Sequence, residues 1–354
     1  MTKFHNLMNL KQFITLVFFI TGILRLSFSQ HVNVPSDHQV YSFLSRMEAK
    51  GLIDSYELRT LPLPRWVIAE LLSRTVELAT SEPNALTRVD RQRLQRFLGD
   101  FRQELSPEFT KHADADEPHF FTLSEPAGNL VTDLTGSQKI ITHRKHSLPE
   151  PELLSRTSVG ARIRGHLGSV INFYTESRFE VSRGENIDSR FKASEGDPVV
   201  TTGENAVRDR ALAYVAGGTS WLRFQAGRDE LNWGPSLRYN TAISYNMPPA
   251  DQIKLTSRWN RFKFTSVHAW LRNDLGAKHL TSHRLDLKIA KGIYAGAGES
   301  VVYGGRGPEP SYLNPIMLYH IRRASSGRQR QQRPVSGCHY YPLSPINSVR
   351  SVVY

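Results

Sequence analysis

From Ser158 onward the chain runs in a two-residue rhythm, and the side opposite the apolar one is charged. In "SVGARIRGHLG", Val159, Ala161, Ile163 and Leu167 fall on one side of an extended strand and Arg162, Arg164 and His166 on the other. "SVINFYTESRFEV" sets Ile171, Phe173 and Phe179 against Asn172, Tyr174, Glu176 and Arg178, and Leu285, Leu287 and Ile289 face away from Arg284, Asp286 and Lys288. A stretch with two such faces folds as sheet, and "RALAYVAGGTSWLRFQAGRDE" reads as a strand, a Gly217-Gly218 turn and a returning strand. The pattern fits two architectures. A soluble sandwich turns its apolar side inward, whereas a membrane barrel turns it to lipid and lines its lumen with the charges.

Three features favour the membrane. The strands approach the roughly ten residues that a tilted membrane strand needs. Trp221, Trp259, Trp270, Tyr294 and Tyr303 lie near strand ends, where an interfacial aromatic girdle would place them. The third is export: Lys3 and Lys11 precede "FITLVFFITGIL", and the small residues Ser27 and Ser29 have signal-peptidase spacing, so cleavage is expected after Ser29. Arg25 interrupts that apolar run, which is short of a spanning helix, and no later segment could cross as one.

Ahead of the strands lie three amphipathic helices. The first has Ser36 as its expected cap, a Val40, Phe43, Leu44 and Met47 stripe, and a stop at Gly51. The second, Arg65 to Ala79, carries Trp66, Ala69, Leu72 and Val76; the third, Thr87 to Leu105, carries Leu94, Phe97, Leu98, Phe101 and Leu105. These stripes are expected to bury against one another or a neighbouring domain. The organisation read from this is a signal peptide over 1–29, a periplasmic helical bundle over 30–105, a linker over 106–118, a partial outer-membrane β-barrel over 119–320, and a basic tail over 321–354.

The net charge of +12 is an end effect. Residues 1–30 carry +3 and 321–354 carry +6, which leaves +3 for the body, so no clustered basic face points to nucleic acid. The one cysteine, Cys338, excludes a disulfide framework and a cysteine zinc site. Asp114, Asp116 and Glu117 lack the glycine and closing glutamate of a calcium loop, and His279 and His283 share a face without an evident third ligand, so no metal or other cofactor is expected. There is no nucleophile elbow and no phosphate loop, and Gly296 and Gly298 read as strand positions beneath bulky neighbours.

The densest constellation is "GRDELNWGPS", residues 227–236. Asp229 and Glu230 could serve glycoside cleavage with Trp233 as a sugar platform, but adjacent residues on a strand point to opposite faces. Catalysis is therefore set aside. The simpler expectation pairs Arg228 with a lumen acid and turns the chain at the rim through Trp233-Gly234-Pro235. A binding role would use Arg228, Glu230 and Trp233 against a polysaccharide.

"VPSDHQVYSFLSRMEAKGLID", "LPLPRWVIAELL", "AGRDELNWGPS" and "YLNPIMLYH", in this order over residues 33–320, resemble the capsule assembly protein Wzi family of Gram-negative outer membranes. The resemblance implies a barrel of about 18 strands, a helical bundle toward the periplasm, and a lectin-like, non-enzymatic role in attaching capsular or extracellular polysaccharide to the cell surface. A pore and an outer-membrane hydrolase are the alternatives. The chain departs from the family at its end: only some eight strands are legible between Ser155 and Tyr319. The acid-free sequence beyond reads as a shifted frame or a truncation, leaving half a barrel with two unpaired edges that a bilayer would not tolerate.

Overall fold

The computed structural model describes residues 31–82, 84–114, 118–143, 152–168, 171–184, 199–202, 205–237, 240, 242–244, 247–271, 278–304, 307–308, 312, 314 and the backbone of 333–342. The expected signal peptide, Asp116 and Glu117, most of "YLNPIMLYH", and the arginine-rich start of the tail lie outside the described residues.

The helices form where the apolar stripes lie. Helix α1, Gln39–Ala49, buries Val40, Phe43, Leu44 and Met47, and ends where Gly51 takes up a φ of 74°. Its cap is His38 rather than Ser36: the ring accepts the Val40 N–H at 3.2 Å, and the helix starts two residues later than read. Helix α2, Arg65–Ser81, follows Pro64, and α3, Arg88–Asp100, opens on a reciprocal cap in which Thr87 Oγ1 accepts from the Asp90 N–H and Asp90 accepts from the Thr87 N–H. One apolar core joins the three helices and the Leu61–Leu63 segment, with Phe43, Phe97 and Phe101 at its centre.

The rest is mainly β. Strand β1, Thr60–Leu61, precedes α2. The others are β2 Phe121–Glu125, β3 Gly128–His143, β4 Glu152–Leu167, β5 Ile171–Gly184, β6 Val199–Thr202, β7 Asn205–Gly218, β8 Leu222–Asp229, β9 Asn232–Trp233, β10 Ala250–Arg258, β11 Phe262–Leu271, β12 Lys278–Ala290, β13 Ile293–Gly304 and β14 Arg333–Pro342. All but β1 and β9 join one antiparallel twelve-stranded sheet, in the order β14-β13-β12-β11-β10-β8-β7-β5-β4-β3-β2, with β6 also on β7. Among the described residues the sheet does not close, and β2 and β14 are its edges.

Two differences from the sequence reading concern where strands run. The sheet extends into the tail, since β14 pairs with β13 from Arg333 opposite Val302 to Pro342 opposite Ile293. Backbone pairing needs no clean side-chain alternation, which is why this strand was not legible. The Gly217-Gly218 turn is displaced: β7 runs through both glycines and the chain reverses at Thr219 to Trp221. Gly218 serves the close approach instead, because a Cβ there would lie 2.1 Å from the Leu222 carbonyl oxygen.

The ladders fix which side chains share a face. Arg162 opposes Glu176 and Asp133, and Arg164 opposes Tyr174 and Val131. Val159, Leu167, Ile171, Phe179, Val215, Phe224, Ile253, Leu287 and Ile289 point the other way and are exposed. The short turns, at 126–127, 219–221, 259–261 and 291–292, share one end of the sheet. The strand ends at His143, Glu152, Asp229, Ala250, Leu271 and Lys278, which lead into and out of the longer connections, share the other.

Thr87→Ala removes the reciprocal cap of α3 and is expected to destabilise the bundle by about 1 kcal/mol; thermal denaturation followed by circular dichroism measures it.

Candidate functional site

The charged face of the sheet is covered by the segment that leads into the bundle and by the bundle's own loops, so the bundle and the sheet are one packed unit. Residues 31–37 run across β5, β7 and β8. The His31 N–H donates to Asn172 Oδ1 at 3.2 Å, and the Asn33 N–H to the Tyr214 hydroxyl at 2.7 Å. Asn33 Nδ2 donates to Gln225 Oε1 at 3.0 Å and to Asp229 Oδ2 at 2.6 Å. Arg223 answers with bonds to the His31 carbonyl and to Asn33 Oδ1. Asp37 accepts from Arg178 at 3.2 Å.

The α1–α2 connection covers the far strands in the same way. Asp54 pairs with Lys288 at 2.5 Å and accepts from the Gly292 N–H and the Tyr294 hydroxyl. Glu57 is fully buried and takes Arg258 at 2.5 Å and Lys263 at 2.9 Å, while Arg258 also reaches Glu70 at 2.7 Å. The Tyr56 hydroxyl donates to the Trp259 carbonyl at 2.5 Å. Burial pushes the Glu57 carboxyl up, but the charges of Lys263 and Arg258 outweigh it and hold it below its ordinary value. Burial likewise raises Asp54, and the bonds from Lys288 and Tyr294 bring it below its ordinary value.

The residues 227–236 divide between the two faces. Arg228 does not face the charged interior: it lies on the apolar side of β8 and pairs with Asp251, directly opposite on β10, through bonds of 3.0 and 2.7 Å. Strand parity decides this, since Arg223, Gln225 and Asp229 take the other side. Asp229 and Glu230 are not on opposite faces, because β8 ends at Asp229 and the chain turns inward. Asp229 bonds Asn33 and Gln225, with Lys254 at 3.8 Å, and Glu230 pairs with Arg210 and accepts the Ser36 N–H at 2.9 Å. Each carboxylate is occupied by its own partners.

Trp233 is not at a rim. It is 1% exposed, sits among Leu231, Ile243, Val267 and Leu280, and pairs with Thr60 in the short β1–β9 ladder. No ring face is open for a sugar. Gly234, at a φ of 149°, donates to the Arg59 carbonyl, and Asn240 holds the loop by accepting the Ser236 N–H at 2.9 Å and donating to Asn232 Oδ1 at 2.6 Å. The constellation thus clips the 230–249 connection to the N-terminal segment.

The glycines of "GAGES" pack as expected: Gly296 lies opposite Asp286, and a Cβ there would stand 2.5 Å from the Arg284 guanidinium. His279 and His283 share the face that carries Leu285, with the His268 ring 5.4 Å from that of His279, and no group of three or more possible metal ligands occurs among the described residues. The sequence reading missed Asn33, Asp54, Glu57, Lys254, Arg258 and Lys263. Part of their signal was present: Lys254 and Arg258 share a strand face in "QIKLTSRW", Lys263 joins them only across the turn that sets it opposite Arg258, and Glu57, which answers Arg258 and Lys263, lies in the loop after α1.

No helix among the described residues is long and apolar enough to cross a membrane. Comparison with protein-family models, with curated proteins and with solved structures finds no match.

Two predictions follow from the interface charges. Glu57→Gln leaves Lys263 buried without its carboxylate and is expected to cost about 3–5 kcal/mol. Adding Lys263→Met should recover part of that loss in urea denaturation of the purified chain. The second concerns pH. Burial and then the charge of Arg223 lower His31 from 6.5 to about 4, so it is neutral in the fold while the unfolded chain takes up a proton below 6.5. Its contribution is complete above pH 6.5 and is lost as the pH falls toward 4; Glu57 and Asp54, held low, lose theirs through the carboxylate range. The denaturation midpoint should fall on acidification, and His31→Asn should flatten the part between pH 6.5 and 4.

Proposed function

We propose that the chain forms part of the wall of an outer-membrane barrel together with the segment that fills it, and that it serves, without catalysing a reaction, to attach capsular or extracellular polysaccharide to the cell surface. The observation that carries the membrane reading is the sidedness of the sheet. A water-soluble sheet buries its apolar side; here Val159 is 57% and Phe224 49% exposed, while Arg164, Arg223, Lys263 and Asp286 are buried against other parts of the chain. Lipid is the solvent that such an outside suits. Trp221 and Trp259, 6.2 Å apart, lie at the short-turn end, where they fit an interfacial girdle.

The helical bundle meets the sheet at that same end, since Asp54 and Tyr56 bond Gly292 and Trp259. A periplasmic position for the bundle and a surface position for the long connections agree with this arrangement. The polysaccharide role rests on the resemblance to the capsule assembly protein Wzi family alone, and contacts with the polymer are assigned to the long-connection end, where Arg228 and Asp251 lie on the outward face. A filled interior speaks against an open pore. Asp229 and Glu230, each in its own ion pair, offer no free acid for hydrolysis.

Insertion into phospholipid vesicles, already limited by the two open edges, should weaken further by about 2–4 kcal/mol for Val159→Lys, mid-strand in β4, and by less for Phe224→Lys, three residues from the short turn, read from urea-dependent folding into the vesicles. Insertion unchanged by both would sink the lipid-facing assignment. For the polysaccharide role, cells deleted for this chain should shed polysaccharide into the medium and regain attached capsule on complementation; attachment unaffected by deletion rejects it.

A further inference from the structure

Between the charged wall and the "LPLPRW" segment lies a small, partly open cleft, lined by Glu57, Leu61–Pro64, Trp66, Trp221, Trp233 and the inward side chains of β8, β10 and β11. Of its polar lining, the one acid, Glu57, is already paired with Arg258 and Lys263. Among the described residues Lys254, 4% exposed, has only Asp229 within ion-pair reach, at 3.8 Å, beyond a hydrogen bond, and that carboxylate oxygen already accepts from Asn33 and Gln225. Arg223 spends one terminal nitrogen on the His31 carbonyl and Asn33, while its buried Nε–H has no partner. The Thr265 hydroxyl, on a residue 2% exposed, and the Trp66 indole N–H are also buried without partners.

These groups are an ammonium, a guanidinium N–H, an indole N–H and a hydroxyl, all able to donate. A donor buried without an acceptor loses its hydration and gains nothing in return. Neighbouring charge does not supply the acceptor. Glu57 is taken by Lys263 and Arg258, Glu70 by Arg258 and Arg74, and Asp229 stands alone against Lys254 and Arg223. A ligand that completes this site must bring several acceptor lone pairs and negative charge.

We propose that the cleft binds a small oxyanion, a carboxylate or phosphate group, through Lys254, Arg223, Thr265 and Trp66. The enclosed space of about 40 Å³ admits a group of a few heavy atoms, such as a carboxylate or phosphate, and the cleft is open beyond it. The tryptophan and proline walls suit an apolar stem or the face of a sugar ring carrying the acid. The site lies inside the sheet against the N-terminal segment, apart from the long-connection end assigned to polymer, and it does not depend on the polysaccharide reading.

Isothermal titration of the full chain in detergent with inorganic phosphate, acetate, glucuronate and, as a neutral control, glucose tests this. The expected result is saturable binding of at least one anion, no binding of glucose, and at least a tenfold loss in Lys254→Met. Thr265→Val, which keeps the side-chain shape, should weaken the same anion and covers the case in which Lys254→Met does not fold. Phosphate as the tightest ligand identifies a phosphate site; glucuronate binding tenfold tighter than acetate identifies a sugar acid. Absence of saturable binding by all three anions, glucose binding as well as glucuronate, or a folded Thr265→Val chain binding like the parent overturns the proposal.

Discussion

A wall of charged side chains is stable only where something answers its charges; here pairs such as Arg164–Asp133 and Arg284–Asp286 lie within the sheet, and one short N-terminal stretch supplies much of the rest. Asn33, Asp37, Asp54 and Glu57 meet partners on strands from β5 to β13. Two buried groups of opposite sign in contact lose less than either does alone, so each pair fixes the position of both elements more than it adds net stability. The bundle has its own apolar core around Phe43, Phe97 and Phe101, but its place against the sheet is set by polar contacts. That division explains why the sheet can keep its apolar residues on the outside: its interior is organised by ion pairs.

The two-residue rhythm made the faces legible. Strand parity alone placed Val159, Ile171 and Leu285 opposite Arg162, Asn172 and Arg284, because the covalent pleat leaves no other choice once a stretch is extended. The helical stripes were legible for the same kind of reason, with Val40, Phe43, Leu44 and Met47 buried as spaced.

What could not be read was anything depending on where a strand stops. Asp229 and Glu230 both turn inward because β8 ends between them, and Arg228 takes the outer face because the count runs back from Gln225. A one-residue difference in a strand end reverses a side chain's environment, and local sequence does not set ends to that precision. Long-range partners were hidden for another reason. Trp233 looked like an exposed platform because its cover is Thr60 and the strands β11 and β12, all distant in sequence.

The ladder that joins Thr60–Leu61 to Asn232–Trp233 links the beginning of the described chain to its middle. Two residues of pairing cannot form early across so long a span, because closing that loop loses more chain freedom than the contact returns. The clip therefore belongs to a late stage of assembly, after β8 and β10 have brought their shared connection to the wall. The same span means that a change in the 230–249 connection is felt at the far end of the described chain, where Thr60 and Arg59 receive it.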